Sequence, residues 1–431
     1  MWGPTEADRR AGGRRTKRDC YSVSRRVRLD GHDHRQCNLN GANMESAVIV
    51  DVVRTPLGKR NGGLKDSHPV DLAATVLREL VERNDLDPSS VDDVIMGCVM
   101  QVGEQAANLA RNAILTAGLP ESVPGTTVDR QCGSSQQAAH FAAQGVMAGA
   151  YDVVIAAGAE SMTRVPMGAS LSSHGFPFTR GMGERYAAVG GLVSQGISAE
   201  MIADKWGLSR EELDQFSVES HLRAAAAGAE GRFEREIVPI VTGTGDEVQT
   251  ITSDEGIRPD SNLDALAKLK PAFKADGKIT AGNSSQITDG AAAVLIMSEK
   301  RAGQLGLTPR ARFHTFAVTG VDPVMMLTGP IPATTKVLER SGLSLEDIDL
   351  VEINEAFASV VLAWVREHHP DMTRVNPNGG AVALGHPLGC SGARLLATLV
   401  NELERTGGRY GLQTMCEGGG MANATIIERL G

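Results

Sequence analysis

The chain has 431 residues, 42% hydrophobic and 22% charged, which is enough apolar material for a sizeable core and for two to three domains. A net charge of −9 argues against a general nucleic-acid binder, and 4% aromatic residues leave little for base stacking. Six cysteines without a CxxC pair argue against a disulfide scaffold or zinc ribbon and favour a reducing compartment, the cytoplasm, while the apolar runs fall far short of the ~20 residues of a membrane span.

Residues 1–43 are rich in Arg, Gly and Asp and show no sustained apolar period. They read as a disordered or artefactual extension, with regular text beginning at Met44. AVIVDVV then reads as a buried strand, and DLAATVLRELVER as a helix with Leu72, Val76, Leu80 and Val81 at helical spacing. VDDVIMGCV is a strand, ANLARNAILTAG a helix, QQAAHFAAQGVMAG a helix and YDVVIAAGAESM a strand. This alternation predicts a sheet covered by helices.

Between about 165 and 285 the pattern changes. SAEMIADKWG and REELDQFSVESHLRAAAAG are helical, RFEREIVPI and VQTITS are strand-like, and SHGFPFTRGMG reads as loop. Beyond this inserted cap the first pattern returns. LSLEDIDLVEINEA repeats LDPSSVDDVIMGCV, and GCSGARLLATLVNELERTGGRYGLQTMCEGGG repeats GSSQQAAHFAAQGVMAGAYDVVIAAGAES. The expected organisation is a duplicated α/β unit: 44–164 with 286–310 as one half, 311–431 as the other, and 165–285 as the cap.

Four polar residues stand out. Cys132 precedes Gly133-Ser134-Ser135 and a helix, whose N-terminus favours a thiolate and supplies free N–H groups. His386 lies in Gly385-His386-Pro387, which reads as an exposed rigid turn suited to presenting an imidazole base. Cys416 leads Gly418-Gly419-Gly420, where the absence of side chains lets a backbone approach a ligand. Asn354, at the end of an apolar strand, either caps a helix or offers an amide to a water or carbonyl. Cys98 and Cys390 are assigned to packing. The thiols and imidazole are too far apart in sequence for the short ligand pairs of a zinc site, so no metal is expected. A thiol nucleophile, a base and backbone donors among glycines point to acyl transfer through a thioester.

These segments carry a resemblance. From Met44 to Gly431 the chain resembles the thiolases, the family of acetyl-CoA acetyltransferases and 3-ketoacyl-CoA thiolases. The matching motifs are Arg54-Thr55-Pro56, Cys132-Gly133-Ser134, GNSSQITDGAAA, NEAF, NPNGGAVALGHPLGCSGAR and CEGGG, in order along the chain. The resemblance implies a five-layered αβαβα fold of two similar halves plus a loop domain. It implies that Cys132 is acylated, that His386 activates it, and that Cys416 moves a proton at the α-carbon. It further implies that Asn354 holds a water in one oxyanion hole with His386, and that the N–H groups of Cys132 and Gly418 form the other. Arg258 and Ser285 match coenzyme A contacts. Coenzyme A is a co-substrate, acyl-CoA the other, and no cofactor is held permanently. A homodimer or homotetramer is implied.

Short-chain biosynthetic members usually carry a His-Met pair in the loop domain, without a convincing match here, and Ala422 replaces a common glycine. Both departures, with the QCGSS and CEGGG variants, favour degradative cleavage of 3-oxoacyl-CoA, including lipid or sterol side chains. A biosynthetic acetoacetyl-CoA thiolase, a decarboxylating condensing enzyme of the same fold and a non-catalytic CoA- or lipid-binding relative are the alternatives.

Overall fold

β1 (Ala47–Arg54) is buried at every position and runs through the middle of a sheet. The fold comes from a computed structural model that describes residues 45–171, 175, 177–243 and 248–431. The extension at 1–43 and part of SHGFPF, including His174, lie outside the described residues. After the short β2 (Gly58–Lys59), α1 (Pro69–Arg83) starts where His68 accepts the Val70 N–H at 3.2 Å and Pro69 fits the first turn. Its Leu72, Val76, Leu77 and Leu80 stripe is buried. β3 (Asp93–Gly97), α2 (Leu109–Ala117), β4 (Gly125–Val128), α3 (Ser134–Met147) and β5 (Val153–Ser161) complete the first run.

The inserted segment holds α4 (Arg180–Tyr186), α5 (Gln195–Lys205), α6 (Arg210–Ala229), the pair β6 (Ile240–Thr242) and β7 (Gln249–Ile251), and α7 (Leu263–Ala267). Two expectations need correction. α4 occupies part of the stretch read as loop; Thr179 caps it by accepting the Met182 N–H, and Arg180 pairs with Glu184 one turn on. None of its residues is buried, so no apolar period announced it. RFERE is turn rather than strand, and the ladder begins only at Ile240.

β8 (Thr288–Ser298) returns to the first sheet, followed by α8 (Glu299–Leu305), β9 (Ala311–Gly320), α9 (Pro330–Ser341), β10 (Leu350–Ile353), α10 (Ala358–His368), α11 (Ala381–Leu384), α12 (Ser391–Thr406), β11 (Tyr410–Glu417) and β12 (Met421–Arg429). The strand order β1-β8-β5-β3 recurs as β9-β12-β11-β10. Both runs are antiparallel, antiparallel, then parallel. β4 lies parallel beyond β3, and its counterpart is the single parallel bridge Val351–Val375. The duplication is therefore one of topology. The halves meet where β1 pairs with β9 over only Val48–Arg312 and Ile49–Ala311.

β8 displays the layering residue by residue. Ala291, Ala293, Leu295 and Met297 face one core with α1 and α2; Ala292, Val294 and Ile296 face another with α3 and α12. α9 and α10 cover the outer face of the second half through Ala333, Val337, Val361 and Trp364. Helices outside, sheet, helices between, sheet and helices outside make the expected five layers. The inner helices approach the strands closely: a Cβ at Gly158 of β5 would collide with the Gly389 carbonyl oxygen.

One buried ion network ties β1 to the inserted segment. Arg54, fully buried, donates to Glu236 at 2.6 Å and to both oxygens of Asp254 at 2.6 and 2.9 Å. Glu236 also accepts from Thr398 and Asn401 of α12. Arg54→Leu would leave two buried carboxylates without their cation. It is expected to destabilise the fold by about 3–5 kcal/mol, read as a lower denaturation midpoint. An unchanged midpoint would contradict this account of the network.

Candidate active site

The turn that carries Cys132 is set by its neighbours. Gln131 takes a left-handed conformation (φ 49°), and Ser134 Oγ accepts the Arg130 N–H at 2.9 Å while donating to the Gln131 carbonyl at 2.6 Å. This ties the end of β4 to the start of α3 and places Cys132 two residues before the helix. Cys132 is buried, in an apolar cluster with Leu388, Leu395 and Met415. The Gly418 backbone N–H stands near enough to favour its thiolate.

Cys416, near the end of β11, is buried among residues that include Ala199, Ile202, Met326 and Phe357. Burial pushes the Cys132 thiol up to about 12, and Glu417 adds to the effect while the Gly418 N–H opposes it. Burial likewise raises Cys416 well above an ordinary thiol, with the Cys132 sulfur the next cause. The two thiols thus sense one another. The expectation that a helix N-terminus would give a thiolate fails here: desolvation outweighs the helix end, and both groups rest as neutral thiols.

His386 departs from expectation in a similar way. It is 4% exposed, so the turn is buried, not exposed. Its N–H donates to the Gln286 carbonyl (3.2 Å) and Thr288 Oγ1 (3.1 Å). Nδ1 lies 2.6 Å from Ser391 Oγ, whose hydrogen goes to the Pro387 carbonyl at 2.8 Å. With that hydrogen committed, the serine oxygen accepts from Nδ1–H, which assigns the proton to Nδ1 and the lone pair to Nε2. Burial, then Arg394, pushes this imidazole down to about 3, so it is neutral. Asn354 Nδ2 lies 3.4 Å from Nε2 and suits a donor there. Asn354 Oδ1 is buried without a hydrogen-bond partner among the described residues. The helix after it starts only at Ala358, so Asn354 is not an N-cap.

Two buried carboxylates that sequence reading left without a role brace the His386 turn. Glu160 accepts from the N–H groups of Val99, Met100 and Gly389. Glu355 accepts from Ser220 Oγ, Asn376 Nδ2 and the Val382 N–H. Ser391 was missed as well; its signal is its place in the same GHPLGCSGAR motif as His386. Cys98 and Cys390 are buried, Cys98 donating to Glu160 at 3.9 Å and Cys390 in the central core.

The structure thus links Cys132 with Gly418 and Cys416, and His386 with Asn354. The Ser285 N–H donates to the Ala356 carbonyl at 2.9 Å, next to the NEAF segment. Arg258 stands apart: it is exposed, and its backbone N–H donates to His221 Nδ1 at 3.1 Å. A neutral thiol, a second thiol, an imidazole with an unprotonated Nε2 and backbone donors have the parts of nucleophilic acyl transfer.

Known proteins resemble this chain over most of its length. Family models match over residues 47–300 (thiolase, N-terminal domain) and 307–429 (thiolase, C-terminal domain). The steroid 3-ketoacyl-CoA thiolase FadA6 of Mycobacterium tuberculosis is 52% identical over 400 residues, covering 91% of this chain and 96% of that protein. A 3-ketoacyl-CoA thiolase of Aliivibrio salmonicida is 47% identical over 393 residues, covering 90% of this chain and all of that protein. Among solved structures, the Bacillus anthracis acetyl-CoA acetyltransferase superposes with a TM-score of 0.82 at 41% identity, covering 90% of this chain and 99% of that one. The chain belongs to the thiolase family and is an acyltransferase.

Proposed function

We propose that this enzyme cleaves 3-oxoacyl-CoA with coenzyme A, reversibly, through an acyl group carried on Cys132. The observation that carries the reading is that two buried thiols, Cys132 and Cys416, interact with one another, with the Gly418 N–H favouring the Cys132 thiolate. Cys132 attacks the 3-keto carbon and gives its proton to Nε2 of His386. The tetrahedral oxyanion is stabilised by the N–H donors of Cys132 and Gly418. Its collapse breaks the Cα–Cβ bond and leaves the shortened acyl group on Cys132. Cys416 protonates the departing acetyl-CoA enolate. The Cys416 thiolate then takes the proton of a free CoA thiol, and the CoA sulfur attacks the acyl group. Cys132 leaves and recovers its proton from His386. The buried Oδ1 of Asn354 suits the hydrogen of a water that, with protonated Nε2, faces the thioester oxygen. A removed oxyanion donor typically costs ~3–4 kcal/mol of barrier.

Arg258 and Ser285 contact coenzyme A in this reading, the arginine as an exposed cation for its phosphates. The halves are 44–164 with 286–310 and 311–431, and the loop domain is 165–285. Their support is that β8 pairs with β1 and β5 while β9 begins the repeated strand order. The need for reduced Cys132 and Cys416 supports a cytoplasmic location. No helix among the described residues is long and apolar enough to cross a membrane. A homodimer or homotetramer is supported by β4, which ends the sheet with an open edge.

The degradative direction and larger acyl groups are favoured by the likeness to a protein named a steroid 3-ketoacyl-CoA thiolase. CoA-dependent cleavage of acetoacetyl-CoA, a long-chain 3-oxoacyl-CoA and a sterol side-chain 3-oxoacyl-CoA tests it. The larger substrates are expected to show kcat/KM higher by about tenfold or more. A preference for acetoacetyl-CoA would contradict the degradative reading.

A further inference from the structure

Glu417 is an unusual residue to find beside two thiols. It ends β11, directly after Cys416, and is fully buried. Neither carboxyl oxygen has a hydrogen-bond partner among the described residues. The side chain lies behind the nucleophile turn, where a Cβ at Gly133 would overlap Oε1. Gly133 and Glu417 are thus complementary: the missing side chain of one is the space of the other. From β12, Asn423 donates to the Gly133 carbonyl at 3.1 Å, leaving its own Oδ1 without a protein partner. The titratable and charged groups around Glu417 are Asp129 and Arg130 of the turn, Cys132, and Cys416 on its own strand.

A carboxylate needs donors or a paired cation to be stable out of water. Glu417 has no donor among the described residues, and Arg130 attracts it without a hydrogen bond. Burial accordingly pushes the carboxyl up to about 8, Arg130 opposing and Asp129 adding. It is neutral at pH 7 and charged in alkaline solution. We propose that Glu417 is a positioning residue for acyl transfer: uncharged, it packs the Cys132 turn and leaves the sulfur free to ionise; charged, it opposes the thiolate and sets the alkaline limit of the reaction. This rests on Cys132 being the acylated residue.

The sign is definite. Below about pH 8 the carboxyl carries its proton and adds no charge; above it, a negative charge stands near both sulfurs and disfavours losing a thiol proton. The test is the rate of iodoacetamide alkylation at Cys132, read by peptide mass, and kcat/KM for thiolysis, from about pH 6 to about pH 10. Glu417→Gln keeps the shape and removes the ionisation. Its Cys132 is expected to match wild type at neutral pH and to react about 5- to 10-fold faster in alkaline solution, with the alkaline fall in kcat/KM displaced upward. Superimposable Cys132 profiles would overturn the role of Glu417 alone. Alkylation that spares Cys132 in both proteins would remove the nucleophile assignment and this proposal with it. Should the variant not fold, the wild type still decides: a reversible fall in kcat/KM above about pH 8 is expected, and a continued rise would overturn the proposal.

Discussion

Replacing Cys132 with serine is expected to lower thiolytic kcat by on the order of 10³-fold or more. The substitution is nearly isosteric, so the turn held by Ser134 and the helix α3 should persist. What changes is the nucleophile. The thiol is already a weak acid here, raised mainly by burial, and the base proposed for it, His386, is an imidazole of low basicity. A hydroxyl is a far weaker acid again, and the same base would have to ionise it. The loss should fall on kcat and kcat/KM together, since the thiol is used in the transition state and not for binding. Stoichiometric iodoacetamide labelling at this position should vanish in parallel. A variant within about tenfold of wild-type kcat would contradict the assignment.

Cys416→Ser is expected to reduce turnover by about 10²- to 10⁴-fold, the usual range for loss of a positioned acid-base group. Cys416 is buried among small and apolar side chains, which a serine would fit without opening a cavity. The variant therefore separates chemistry from folding. Cys416 acts twice, giving a proton to the enolate and taking one from coenzyme A, so both half-reactions should slow. Acylation of Cys132 by attack remains geometrically possible, and its labelling by iodoacetamide should survive. Unchanged thiolysis would refute the proton-transfer role of Cys416.

Much of this was legible in the chain because it is local. The strands and helices of each half announce themselves through apolar runs and the 3.6 period, and the duplication is visible because each half must bury the same kind of sheet. β8 is the instructive case: its apolar stretch AAAVLIM is buried on both faces, and its partition between two cores appears only in the fold. The positions of Cys132, His386 and Cys416 were marked by the glycines around them. Their protonation was not. The reading of a helix end favouring a thiolate ignored desolvation, which depends on everything packed around the sulfur. His386 looked exposed because its turn is rich in Gly and Pro; it is buried because Glu160 and Glu355, both distant in sequence, fasten the segments on either side. The proton on Nδ1 is set by Ser391 through a hydrogen committed to the Pro387 carbonyl, a relation no spacing rule encodes. α4 escaped notice because it buries nothing. Glu417 is invisible as a site residue in sequence, since one acid in a strand end is ordinary until its surroundings prove to be dry.

The most direct test is to mix the enzyme with a 3-oxoacyl-CoA in the absence of free coenzyme A, quench in acid and map the modified peptides by mass spectrometry. Without the second substrate the reaction should stop after its first half. One acetyl-CoA released per active site is expected, together with an acyl group two carbons shorter than the substrate's, attached to the peptide at Cys132. An acyl group found on Cys416 or elsewhere, or acetyl-CoA release with no modified residue at all, would contradict the account.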